Sequence, residues 1–135
     1  MNEPKAESAG RGKGGDPLIY LVDDEPMLLE LASVILEPLG YTVESYSSPE
    51  SALSAFEAAE PKPALIVTDY AMHKMTGLQL AAACRQIRPK QKVLLVSGTV
   101  GPEVCHGAAV IPDRFLAKPY QSKQLIDAVE SILAG

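Results

Sequence analysis

Two kinds of hydrophobic pattern alternate along this chain. Residues 18–22, Leu-Ile-Tyr-Leu-Val, are continuously apolar, as a strand covered on both faces must be. Pro26 follows the acidic Asp24-Glu25 and suits the first position of a helix. Behind it Leu28, Leu31, Ala32, Ile35, Leu36 and Leu39 recur at helical spacing until Gly40 ends the run. Pro38 is expected to fray the last turn. Residues 41–46 predict a second strand, and Ser48-Pro49 a cap and first turn for a helix presenting Ala52, Leu53, Phe56 and Ala59.

The pattern then repeats. Residues 64–68 predict a third strand, followed by a loop and a helix with Leu80, Ala81, Cys84 and Ile87 on one face. Residues 92–96 predict a fourth strand. The stretch 100–112 holds Gly101, Pro102, Gly107 and Pro112, so the fourth helix is expected to be short or irregular. Residues 114–117 predict a fifth strand, and from about Ser122 a helix turns Leu125, Ile126, Val129, Ile132 and Leu133 inward. Five such units imply an α/β fold, a doubly wound parallel sheet with right-handed crossovers and helices on both faces. Residues 1–16 lack apolar periodicity and are rich in Gly, Lys, Glu and Ser. They are expected to be a disordered tail, leaving 17–135 as one folded domain.

Composition narrows the function classes. At 135 residues, 47% hydrophobic and 21% charged, the chain has room for a single globular domain. Twelve basic against seventeen acidic residues give a net charge of -5, so direct nucleic-acid binding is not expected, nor is attraction to an anionic membrane. No apolar stretch approaches the roughly 20 residues of a membrane helix. The first fifteen residues carry no apolar signal segment, and the cytoplasm is the expected compartment. Cys84 and Cys105 show neither CxxC nor Cys/His metal spacing and are expected to be reduced, structural thiols.

Candidate chemistry gathers at the strand ends. Ligands of open α/β sheets bind outside the carboxyl ends of the strands, and Asp23, Asp24, Asp69, Ser97 and Lys118 all follow predicted strands. Two unit charges 4 Å apart interact by about 4 kcal/mol at an effective dielectric of 20, so clustered carboxylates resist joint ionisation without a cation. A carboxylate beside a divalent cation and a lysine can accept a phosphoryl group, because those charges offset the transferring oxygens.

On these residues the chain resembles the receiver domain of two-component response regulators. The resemblance spans about residues 17–134. It rests on Leu-Val-Asp-Asp-Glu at 21–25, Asp69 with Met72, Met75 and Gly77 downstream, Ser97-Gly98, and Phe-Leu-Ala-Lys-Pro at 115–119. It implies a flavodoxin-like receiver fold with strand order 2-1-3-4-5, the order of this family's chemotaxis member. It further implies that Asp69 accepts phosphate from a histidine kinase or phosphotransfer protein. Asp24, Asp69 and the backbone carbonyl of Ala71 would hold Mg²⁺ directly, and Asp23 through water. Lys118 would neutralise a phosphoryl oxygen, and Pro119 would carry a cis Lys-Pro bond. Ser97 and Phe115 occupy the family's switch positions, through which phosphorylation would alter the face around the fourth and fifth strands.

Some positions depart from the family pattern. His73 stands where a proline is common, and neither it nor His106 carries a phosphohistidine expectation. Ala71 and Thr99 flank the path of the hydrolytic water in relatives. The reduced fourth helix alters the usual output surface and also resembles receivers of hybrid histidine kinases. Because the chain closes after its fifth helix and opens on Met1, the expectation is a stand-alone regulator that contacts an unidentified protein target, or a phosphorelay intermediate or sink. Apart from self-catalysed phosphoryl acceptance and loss it is expected to be no enzyme. A phosphorylation-independent pseudo-receiver is the alternative, although such modules typically lose acidic or lysine positions that are present here. A phosphatase of the haloacid dehalogenase type expects an acidic residue where this chain has Ala71.

Overall fold

A computed structural model describes residues 16–107 and 110–135. The tail expected over residues 1–16 lies outside the described residues except for Asp16. Five parallel strands, β1 (Leu18–Val22), β2 (Thr42–Tyr46), β3 (Leu65–Asp69), β4 (Val93–Ser97) and β5 (Arg114–Ala117), form one sheet in the order β2-β1-β3-β4-β5. This is the expected doubly wound topology. Among the described residues four α-helices accompany it: α1 (Pro26–Leu36), α2 (Pro49–Ala58), α3 (Gly77–Ile87) and α4 (Ser122–Ala134). No helix among the described residues is long and apolar enough to cross a membrane.

Strand alternation sends neighbouring side chains to opposite faces, and β1 feeds two cores. Ile19 and Leu21 pack with Leu29 and Leu36 of α1 and Leu125 and Val129 of α4. Tyr20 and Val22 pack with Phe56 of α2 and Leu80 and Cys84 of α3. All of β1, β3 and β4 is buried, which explains their unbroken apolar runs. Both edge strands, β2 and β5, are more open.

Local chemistry sets the helix ends. Ser48 Oγ accepts the Ser51 N–H at 3.1 Å to start α2. Thr76 and Gln79 form a reciprocal capping box at α3, with bonds of 3.2 and 2.8 Å. At the far end of α1, Pro38 turns residues Glu37–Leu39 into a 3₁₀ turn, and Gly40 closes it with φ of +100°.

Three inward positions differ from expectation. Leu31, Leu39 and Ile87 are 48%, 47% and 43% exposed, whereas Leu29 is buried. The inner stripe of α1 is Leu29, Ala32 and Leu36. Leu31 instead lines a groove of about 370 Å³ with Leu28, Gly98, Lys118, Pro119 and Tyr120. Helix α1 is apolar around much of its circumference, so periodicity alone admits two adjacent stripes. Packing against α4 selects one of them.

Among its described residues the fourth connection holds one 3₁₀ turn, at Pro102–Cys105, and no α-helix, as expected of a short or irregular segment. Arg85 of α3 ties down its far end, donating to the Ile111 carbonyl at 2.8 Å and the Asp113 carboxylate at 3.0 Å. Asp113 also accepts the Val93 N–H at 2.8 Å.

Candidate functional site

Three strands deliver the charged residues to the carboxyl end of the sheet. Asp23 follows β1, Asp69 is the last residue of β3, and Lys118 follows β5. The register that pairs Val22 with Thr68 sets Asp23 beside Asp69. Backbone bonds hold each of them: Asp23 N–H donates to Tyr46 O at 3.1 Å and Lys118 N–H to Ser97 O at 2.8 Å. Thr68 Oγ1 donates to the Asp69 carbonyl at 3.0 Å. Helix α3 starts against that carbonyl, where a Cβ on Gly77 would run into the oxygen and come within 2.8 Å of Leu95 Cδ1.

Side chains then converge as the strand-end argument expected. Lys118 Nζ lies 3.0 Å from Asp23 Oδ2 and 3.0 Å from Asp69 Oδ1. Carboxylate oxygens of Asp23, Asp24 and Asp69 lie within 4.8 Å of one another, with Asp24 the most open of the three. Burial raises the pKa of Asp69, and the neighbouring charges of Asp23 and Asp24 add to the rise while Lys118 opposes it. Burial also works against the Lys118 ammonium, but the Asp23 and Asp69 carboxylates outweigh it and hold its pKa above that of an ordinary lysine. A cavity of about 20 Å³ among Asp23, Asp69, Lys118, Leu28 and Tyr120 has room for about one water-sized occupant.

The donor set suits a hard divalent cation, being oxygen only, anionic and clustered. Mg²⁺ takes one or two carboxylates and keeps several waters, so no fuller protein cage is required.

The remaining expected residues fall around this centre. Ser97 is buried, and its Oγ accepts the N–H groups of Thr99 and Val100, each at 3.2 Å. Phe115 is partly buried on β5, in register with Leu95. Ala71 is exposed in the loop after Asp69, and Thr99 and His73 are exposed as well. The Lys118-Pro119 bond is cis, as the resemblance implied. Sequence reasoning passed over Tyr120, whose pKa burial raises beside Lys118 and Asp23. An aromatic residue directly after the lysine-proline pair was the signal for it. It passed over the Thr68 hydroxyl too, which nothing in the local pattern singles out.

Comparison with known proteins supports the same assignment. The model of the family described as the response regulator receiver domain matches residues 19–130. The response regulator receiver protein CpdR of Brucella abortus is 26% identical over 117 residues, covering 85% of this chain and 95% of that protein. A probable transcriptional regulator, ycf27, of Pyropia yezoensis is 30% identical over 118 residues, covering 85% of this chain and 46% of the relative. This chain therefore spans about half the length of several curated relatives that it matches. Among solved structures, a response regulator receiver protein from Sinorhizobium medicae superposes with a TM-score of 0.79 at 31% identity, covering 89% of this chain and 96% of that one. The response regulator TrrA of Thermotoga maritima, in complex with Mg(2+)-BeF, superposes with a TM-score of 0.76 at 25% identity, covering 86% and 98%.

Proposed function

Since this chain belongs to the response regulator receiver family of two-component systems, we propose that Asp69 is its phosphoacceptor and that the chain signals through protein contacts. Phosphorylation on an aspartate is general in the family, and receivers are signalling modules rather than conventional enzymes. The observation that carries the assignment is the bridging of Asp69 and Asp23 by Lys118 at 3.0 Å each. It joins an anionic acceptor to a cation at the place where phosphoryl charge must be received.

A carboxylate oxygen of Asp69 attacks the phosphorus of a phosphohistidine on a histidine kinase or phosphotransfer protein. The P–O bond forms as the P–N bond breaks, and the imidazole leaves with the electron pair. Mg²⁺ held by Asp24, Asp69 and the Ala71 carbonyl, with Asp23 through water, would supply positive charge against the transferring oxygens. TrrA, a relative of similar fold, is described with Mg(2+)-BeF bound, which supports this assignment. Lys118 receives another phosphoryl oxygen as a charge-assisted donor. The Ser97 hydroxyl leaves the amides of Thr99 and Val100 to donate to the phosphoryl group, while Phe115 turns inward. The face around β4 and β5 then changes.

Stand-alone action in the cytoplasm, without direct nucleic-acid binding, is part of the proposal, either as a diffusible signal to a protein target or as a phosphorelay intermediate or sink. The match to 95% of CpdR, described as a response regulator receiver protein, supports the stand-alone part of it.

The test is incubation with Mg²⁺ and acetyl phosphate followed by intact mass. One phosphoryl adduct is expected on the wild-type chain, with none on Asp69→Ala and none after metal chelation. An adduct that persists on Asp69→Ala moves the acceptor elsewhere. No adduct under conditions that label a known receiver leaves a phosphorylation-independent interaction module.

A further inference from the structure

The loop from β3 to α3 is built around one strained residue. Lys74 has φ of +74°, a left-handed backbone that a residue with a side chain keeps only where its surroundings impose it. Around it the Met75 N–H donates to His73 O at 2.8 Å, a three-residue turn of the strained kind. The Gly77 N–H closes the base of the loop on Tyr70 O, also at 2.8 Å. His73 and Lys74 are exposed, so the constraint comes from their neighbours. Met72 precedes the turn and Met75 ends it, and both pack on the second core, that of Tyr20, Phe56, Leu80 and Cys84.

The chemistry of these two anchors differs from that of the groups around them. Both methionines are half-buried, packed enough to hold the loop and open enough for a small oxidant to reach. A thioether carries no proton, so its sulfur stays nucleophilic at any pH. The thiol in the same core is a poor competitor, because burial pushes Cys84 up to about 12 and keeps it protonated. Oxidation turns a flexible apolar side chain into a polar one. The core beneath is mostly aliphatic and aromatic, so an S=O group formed against it must give up water or leave.

We propose that Met72 and Met75 are a peroxide-sensitive modification site: their oxidation to methionine sulfoxide frees the loop from the second core, relaxes the turn at Lys74 and slows phosphoryl acceptance by Asp69. At each methionine the sulfur lone pair attacks one oxygen of hydrogen peroxide. An S–O bond forms as the O–O bond breaks, sulfur is oxidised by two electrons, and the released hydroxide takes the proton of the transferred hydroxyl and departs as water. Enzymatic reduction of the sulfoxide restores the thioether. Ala71, one residue before Met72, moves with the loop. This inference rests on the receiver reading given above and concerns how that site is regulated.

Graded treatment of the full chain with hydrogen peroxide, followed by removal of the oxidant, tests it. Peptide mass mapping reads the sulfoxide fraction at each methionine, and Met27, 81% exposed on α1, is the internal control. Acetyl phosphate labelling in Mg²⁺ is expected to slow by about tenfold or more as Met72 and Met75 oxidise, the cost of a misplaced reacting group, and to ignore the oxidation of Met27. In the absence of Mg²⁺, amide exchange at residues 71–76 is expected to speed up along the same course. A chain carrying Met72→Leu and Met75→Leu, which keeps the packing volume without a thioether, is expected to retain its labelling through the treatment. Should that variant fail to fold, the wild-type time courses decide. A loss of labelling that tracks Met27, or that dithiothreitol reverses as it would a lesion at Cys105, overturns the proposal. So does unchanged labelling or unchanged exchange with Met72 and Met75 oxidised, and the receiver reading then stands. No labelling of the untreated chain overturns the receiver reading and this inference with it.

Discussion

Buried ionisable groups show how far the fold perturbs individual residues, and Asp69 and Cys84 do so for different reasons. Asp69 is raised by burial and by its acidic neighbours, and Lys118 opposes that rise. Lys118 thus favours the charged form against burial, and a carboxylate perturbed by both burial and a specific charge partner is a candidate for chemistry. Cys84, wedged between α3 and the sheet in the second core, is pushed up to about 12, first by burial and then by the charge of Glu57. In the unfolded chain this thiol titrates at its ordinary value of 9.0. Above that pH the unfolded state loses a proton that the folded state keeps, so stability falls as pH rises from about 9 toward 12. The slope contributed by this thiol approaches 1.36 kcal/mol per pH unit. Urea midpoints at pH 8 and pH 10 check this prediction. The decline is expected to be smaller in Cys84→Ala than in the wild type, and an identical decline in both would remove Cys84 as its source.

Single elements position Asp69, the proposed acceptor. Helix α3 begins with Gly77 packed on the Asp69 carbonyl, and its Thr76-Gln79 capping box fixes where that first turn lies. Any side chain at position 77 must push α3 away from β3 or tilt the end of β3. Gly77→Ala is therefore expected to cost about 1–3 kcal/mol, the usual range for overpacking a tight site. It is also expected to slow acetyl phosphate labelling of Asp69, because the displaced atom belongs to the backbone of the proposed acceptor. Urea denaturation and the time course of the phosphoryl adduct measure the two effects. A lowered midpoint with an unchanged labelling rate would confine the glycine to packing. The same logic separates what was legible at this scale from what was not. Gly77 was singled out only through the family resemblance, and the reason for a glycine there is contact with a strand residue eight positions earlier. Leu29 and Leu31 are both leucines on one helix, and only the location of α4 and the sheet makes the first core and the second groove lining.

Across the whole molecule, the proposed link between site and surface runs through the fourth connection. Ser97 holds its start through two amides and Arg85 holds its end through Ile111 and Asp113. If Ser97 turns to a phosphoryl group, Thr99 and Val100 lose their acceptor while the Arg85 clamp stays. Hydrogen exchange on the chain phosphorylated by acetyl phosphate is expected to be faster at residues 99–100 and unchanged at Val93, whose N–H bonds Asp113 at 2.8 Å. Ser97→Ala is expected to show the faster exchange at 99–100 before phosphorylation. Uniform protection in both proteins would remove Ser97 from the switch. By itself the sequence determined the five strands to within a residue, the existence and order of four helices, the irregular fourth connection and the set of strand-end residues. Burial on both faces writes an unbroken apolar run, and a helix writes its caps and period locally. The tertiary structure alone decided which groups meet. Lys118 reaches Asp23 across 95 positions of sequence and Arg85 reaches Asp113 across 28. Such pairings follow from strand order, register and helix docking, and none of these is encoded within the few residues over which periodicity acts.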